Sequence, residues 1–150
     1  MSELKYAGFW RRFAAYIIDS MIMAFALVNF RWLMYWSLLP SLGPVRSVEA
    51  IHPLEVGLAA AVSLMSILLA WVYFSGMESS PLQATIGKLA VGIYVTDLQG
   101  QRISFGRATG RFFGKILSGA ILLIGYLMAG FTAKKQALHD MLSGCLVLSK

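Results

Sequence analysis

An aspartate in the middle of an apolar run is the residue in this chain that most demands a chemical explanation. Asp19 lies inside Phe13 to Phe30, FAAYIIDSMIMAFALVNF. If that run crosses hydrocarbon, an Asp within it costs on the order of 2.5–3.5 kcal/mol. Such a residue needs protein or water to face, and a partner. Arg12, seven positions earlier, shares a helix face with Tyr16 and Asp19. It is roughly 10 Å away along the axis, too far for an easy ion pair, so a third group or a water has to mediate. Two readings follow. Asp19 is a proton or cation site within the bilayer, or it is a hydrogen-bonding clamp between helices. Arg12, at a helix entrance, reads first as a headgroup anchor.

Other polar residues gather later in the chain. Arg107, Arg111 and Lys115 recur every fourth residue, beside a smooth row of Gly106, Gly110, Gly114 and Ser118. On one helix these rows are neighbours, a packing groove along a basic edge. The basic row serves either lipid headgroups or a substrate. The tail reads Lys134-Lys135-Gln136-Ala137-Leu138-His139-Asp140. His139 and Asp140 are adjacent, so a helix would point them roughly 100° apart. They supply too few ligands for a metal site, and nothing marks Ser143 or Cys145 as an activated nucleophile. No enzyme, metal or cofactor is expected. Gln83 to Lys88 looks superficially like a phosphate loop, but Leu82 and Leu89 stand where that motif needs Gly and Ser or Thr.

The elements that must position these groups are apolar. The chain is 58% hydrophobic and only 13% charged, against about 45–50% and about 25% in soluble domains. One polytopic membrane domain over residues 1–150 fits. From Trp10 to Trp32 a helix rises roughly 33 Å, matching a hydrocarbon core of about 30 Å with aromatic belts. Residues 37–53, with Pro40, Gly43, Pro44 and Pro53, read as a loop. Leu54 to Phe74 is a second span, with small residues Gly57 and Ala61 at helical spacing. Leu89 to Thr96 alternates as a strand. Asp97 and Gly100 bracket a turn, and Arg102 to Phe105 could return. Cys145 to Leu148 reads as a further strand able to join them, and Ser104 as the N-cap of a helix entering Phe112 to Phe131. The expected fold is an all-α membrane protein with a small β element. It has two spanning helices, a third embedded segment that spans or re-enters, and a short sheet at the cytoplasmic surface.

The net charge of +6 points to loops held against anionic lipid headgroups. No zinc spacing or aromatic-and-basic repeat supports nucleic acid. The first apolar run lacks a small-x-small cleavage site and reads as a retained anchor. Lys5, Arg11 and Arg12 place the N-terminus in the cytoplasm of a multi-pass protein of the cell (inner) membrane, together with the 77–111 loop. Three full spans would put Lys134-Lys135 outside, against that bias. A third segment bent near Gly119 or Gly125 would bring the tail back.

In this order, Gly8-Phe9-Trp10-Arg11-Arg12 through Asp19, Ala84-Thr85-Ile86-Gly87-Lys88, and Gln136-Ala137-Leu138-His139-Asp140 resemble the motifs of the RDD family of membrane proteins. The resemblance covers nearly the whole chain. It implies that the family's one Arg and two Asp correspond to Arg12, Asp19 and Asp140, with Cys145 where relatives commonly carry Thr. It implies a transport-related role, proton or small-cation movement or cation/proton exchange, with a non-catalytic scaffold or assembly factor as the alternative. Tyr16, Lys88, Arg107, Arg111 and His139 are the expected supporting polar residues. If the triad meets, the tail must return to the side of Arg12. Few short segments cannot enclose a pathway alone, so a homo-oligomer or a membrane partner protein is expected as well.

Overall fold

The computed structural model describes residues 5–38, 48–120 and 124–150. Among the described residues, six helices and two strands follow in the order α1 (Phe9–Leu38), α2 (Val48–Ser79), α3 (Ile86–Ala90), β1 (Ile93–Asp97), α4 (Phe105–Ala120), α5 (Ile124–Phe131), α6 (Leu138–Leu142) and β2 (Cys145–Ser149). They form two units, Met21–Ala70 and a second that joins Met1–Ser20 to Trp71–Lys150.

The unit Met21–Ala70 holds the later part of α1 and the earlier part of α2. Phe9–Leu38 and Glu55–Ser79 are long and apolar enough to cross a membrane, with mean hydropathy 1.8 and 2.1. Met21, Phe25, Val28, Trp32, Leu64 and Met65 are exposed, apolar side chains that water would penalise. Three polar side chains are satisfied within their own helices. Asn29, Ser63 and Ser66 each donate to the carbonyl four residues back, as needed where no water is available. The loop expected over 37–53 is shorter than that, because α1 runs to Leu38 and α2 begins at Val48 with Pro53 inside it. Pro40, Gly43 and Pro44 lie outside the described residues.

The second unit is built around a two-stranded sheet. β1 pairs antiparallel with β2, Val95 opposite Val147. Both outer edges are covered. The Ala7 N–H donates to the Val147 carbonyl at 2.9 Å, and the Val95 N–H to the Gln83 carbonyl at 2.7 Å, so neither edge is left to template aggregation. Ala7, Ala15, Ile93, Val95, Ile103, Ala108, Cys145 and Val147 form its apolar core. The expected strand over 89–96 begins only at Ile93. Leu89 and Ala90 belong to α3, and Gly92, at φ 70°, turns the chain into β1. Arg102 to Phe105 forms no strand, because Ser104 already caps α4. Its hydroxyl accepts the Arg107 N–H at 3.3 Å. The terminal strand and the Asp97–Gly100 turn are present as read.

The third apolar segment is two helices folded back on one another. The Tyr126 hydroxyl donates to the Lys115 carbonyl at 3.1 Å, although the two residues would be roughly 16 Å apart along one straight helix. A Cβ on Gly125 would come within 2.8 Å of the Ser118 Cβ. Ser118 and Gly125 therefore face one another, next to and at the two glycines named from sequence. α4 also reverses the usual polarity, with Arg111 and Ser118 buried while Phe113, Ile116 and Leu117 face outward.

Candidate functional site

Three buried carboxylates organise the second unit, and they sit in two different settings. Asp140, at the third position of α6, is fully buried. One of its oxygens accepts from Arg12 and from the Ala137 N–H at 3.1 Å. The other accepts from Arg111 Nε at 2.8 Å and lies 2.7 Å from Arg111 Nη2. Arg111 also donates through Nη1 to Glu78 at 2.8 Å. The other Glu78 oxygen accepts from Lys88 at 2.5 Å and Lys115 at 3.2 Å. Four cations thus enclose two carboxylates in one connected cluster.

Burial pushes in the opposite direction to the pairing. Desolvation alone would raise the Asp140 carboxyl, but Arg111, His139 and Arg12 outweigh it and hold it well below the usual carboxylate range. Lys88 is pushed down to about 7 by burial and by nearby Arg111, against the pull of Glu78. His139 is lowered to about 3, chiefly by burial, and is therefore neutral at physiological pH. Its Nδ1 lies 3.4 Å from the Ser118 hydroxyl and its Nε2 3.4 Å from Asp140. The Ser118 hydroxyl donates to the Gly114 carbonyl at 2.9 Å and is fully buried, so this Ser-His-Asp grouping presents no free nucleophile to a substrate.

Asp19 stands apart. One of its oxygens accepts from the Tyr73 hydroxyl at 3.1 Å and the Gly87 N–H at 2.8 Å. The other accepts from the Thr85 hydroxyl at 2.5 Å. All three donors are neutral, and among the described residues no cation contacts it. α1 and α3 meet so closely here that a Cβ on Gly87 would lie 2.3 Å from the Ala15 carbonyl oxygen.

The site residues expected from sequence therefore divide. Arg12 and Asp140 pair, and Lys88, Arg111 and His139 join them. Arg12 is not left for headgroups, with its side chain only 14% exposed. Arg12 and Asp19 have different partners, and among the described residues no side chain bonds to both. Tyr16 points outward, 59% exposed. Arg107 leaves the row to sit 3.6 Å from Asp97 on the surface. Glu78 and Tyr73 carry no sequence motif, and Thr85 enters only as part of the Ala84–Lys88 motif. Nothing local marks Glu78 in the sequence, although Lys88, Arg111 and Lys115, which it holds, are basic residues without an assigned carboxylate and so a signal for it.

Residues 6–144 match the model of the RDD family. This chain belongs to the RDD family. It is 33% identical over 150 residues to YxaI, an uncharacterized protein of Bacillus subtilis (strain 168), covering 97% of this chain and 99% of that one. It is 28% identical over 152 residues to YteJ, an uncharacterized membrane protein of the same organism, covering 95% and 80%. No solved structure matches. This RDD-family chain is a membrane protein, and the three residues that carried its resemblance form one ion pair and one separate buried carboxylate.

Proposed function

We propose that this RDD-family protein is a transport-related, multi-pass component of the cell (inner) membrane that moves protons or small cations as an oligomer. The observation that carries the reading is Asp19. It is a carboxylate only 3% exposed, within a membrane-crossing helix, held by three neutral donors and no cation. A buried charge in that setting is completed by a proton or a small cation. α3 links this site to the ion cluster, because Gly87 contacts Asp19 while its neighbour Lys88 contacts Glu78. The outward apolar face of α4 supports a re-entrant α4–α5 hairpin, with the N-terminus and tail both cytoplasmic and their basic residues on anionic headgroups. Oligomer contacts fall to Gly57 and Gly110, which have open space, and to Gly106, where a Cβ would meet only the Ser104 hydroxyl at 3.9 Å. Gly114 and Ser118 are occupied within the chain. The proposal assigns no enzymatic activity, cofactor, metal or nucleic acid.

Proteoliposomes under an imposed sodium or potassium gradient test it. The protein moves protons in response to the gradient, and Asp19→Asn abolishes the movement. Folded wild-type protein that carries no such flux refutes the reading. A non-catalytic scaffold is the second reading, favoured by the fact that every oxygen of Glu78 and Asp140 is already engaged. It predicts a co-purifying membrane partner, lost on deletion of residues 89–105, and no flux.

A further inference from the structure

α3 and α6 are built alike to a degree that their sequences conceal. Gln83 and Lys135 are the non-glycine residues with left-handed backbone among those described, at φ 54° and 47°. The Gln83 N–H donates to the Ser80 carbonyl, and the Lys135 N–H to the Thr132 carbonyl. Thr85 (φ −73°, ψ 168°) and Ala137 (φ −80°, ψ 167°) each open a five-residue helix. Val91 and Ser143 close them, donating to Gly87 and Leu89 in one case and to His139 and Met141 in the other. Gly92 and Gly144 then turn, at φ 70° and 61°, into five-residue strands. Every matched pair has the same separation in sequence. The strands pair symmetrically about Val95 and Val147, as two copies related by a local two-fold axis would.

The longer helices obey the same relation. α1 lays Ala15 and Asp19 on Gly87, while α4 lays Gly114 and Ser118 on His139, the position in α6 that matches Gly87. Tyr73 of α2 reaches Asp19, and Gly125 of α5, the match of Tyr73, abuts Ser118. These contacts align Arg12-Phe13 with Arg111-Phe112, and Ile17 with Ile116.

We infer that α1–α2–α3–β1 and α4–α5–α6–β2 are two copies of one motif, and that Glu78 replaces a carboxylate missing from position 88. The match of Asp140 in the first copy is Lys88. A symmetric pair would set Arg12 on Asp140 and Arg111 on an acid at 88. Lys88 breaks that arrangement. Arg111 turns instead to Asp140 and Glu78, and Glu78 also holds Lys88. Glu78 is thus a positioning residue at the interface of two repeats, the place where repeat-built transporters hold their sites. The Ser118–His139 contact is the uncharged copy of the Asp19 site. The inference rests on geometry and does not depend on the transport reading.

Melting of the purified full chain in detergent tests it. Glu78→Gln lowers the melting temperature by leaving Lys88 and Lys115 without their acid and Arg111 with Asp140 alone. Adding Lys88→Asp restores at least half of the loss, because Arg111 regains a carboxylate at the symmetric position. Lys88→Met in the same Glu78→Gln background restores less than Lys88→Asp. A Glu78→Gln/Lys88→Asp protein that fails to fold, or melts no higher than Glu78→Gln, overturns the inference, as does equal rescue by Lys88→Met. A protein that shows the rescue but carries no flux keeps the inference and refutes transport alone.

Discussion

Replacing Gly87 by alanine tests the join between Asp19 and α3 with a single methyl group. The added Cβ would lie 2.3 Å from the Ala15 carbonyl oxygen, 2.8 Å from Asp19 Cγ and 2.9 Å from Asp19 Oδ1. The nearest obstacle is backbone, so no side chain can swing away to relieve it. α3 must retreat from α1, stretching the 2.8 Å bond from the Gly87 N–H and the 2.5 Å bond from Thr85. Overpacking costs about 1–3 kcal/mol, and a lost hydrogen bond to a charged acceptor about 1.5–3 kcal/mol. A combined loss of about 3–5 kcal/mol follows from these ranges, a fall in melting temperature on the order of 10 °C for a chain of this size. Thermal melting in detergent, followed by tryptophan fluorescence, measures it. Gly76→Ala, inside α2, is the control, since a Cβ there meets nothing within 4 Å and alanine gains about 0.5–1 kcal/mol in a helix. If Gly87→Ala melts with the wild type, α1 and α3 do not approach as described, and the account of Asp19 as a buried, neutrally bonded carboxylate falls with it.

Further outcomes follow from the cluster. Asp140→Asn strands Arg12 and Arg111 in a buried site and costs about 3–5 kcal/mol, read as a lower denaturation midpoint, whereas Arg107→Gln on the surface changes it by less than about 1 kcal/mol. The fold holds Lys88 near 7 against an ordinary 10.5, so between those values the unfolded chain binds a proton that the folded chain does not. Stability therefore rises with pH across that window, and Lys88→Met flattens the rise in a melting series. His139 is lowered from 6.5 to about 3, so stability falls as pH drops through that interval, and His139→Asn weakens the fall. Cys145 is fully buried and should resist a membrane-impermeant maleimide. In a Cys145→Ala background, Lys5→Cys and Lys134→Cys label from the same side, because β2 pairs with the segment that leads into α1. Labelling from opposite sides would contradict that pairing.

Much of the architecture could be read from residue pattern alone. The apolar lengths and aromatic flanks gave α1 and α2, and the conflict between Lys134-Lys135 and the charge bias pointed to the fold-back that Tyr126 and Lys115 demonstrate. The Arg12–Asp140 pair was accessible only through the family resemblance, since nothing local brings residues so distant in sequence together. Leu89-Ala90 were misread as strand because an alternating run of Leu, Val, Ile and small residues suits a short helix equally well when a left-handed glycine follows. Glu78 was missed because its burial depends on α3 and α4 converging on the end of α2. The repeat was invisible for a related reason. Its matched elements share little more than Gly92 with Gly144, Val95 with Val147, and Arg12-Phe13 with Arg111-Phe112, and backbone conformation, not side-chain identity, carries the likeness.

The proposed transport role requires the buried carboxylate of Asp19 to be completed by a proton or a small cation. The most direct measurement is melting of wild-type protein and Asp19→Asn, each titrated with sodium and with potassium at fixed ionic strength and at several pH values. Ligand at about 100 times its dissociation constant stabilises a single site by about 2.7 kcal/mol. The account predicts that the wild type gains stability with one of these cations or with protons, and that Asp19→Asn loses that dependence while remaining folded. An identical cation and pH response in both proteins would contradict it.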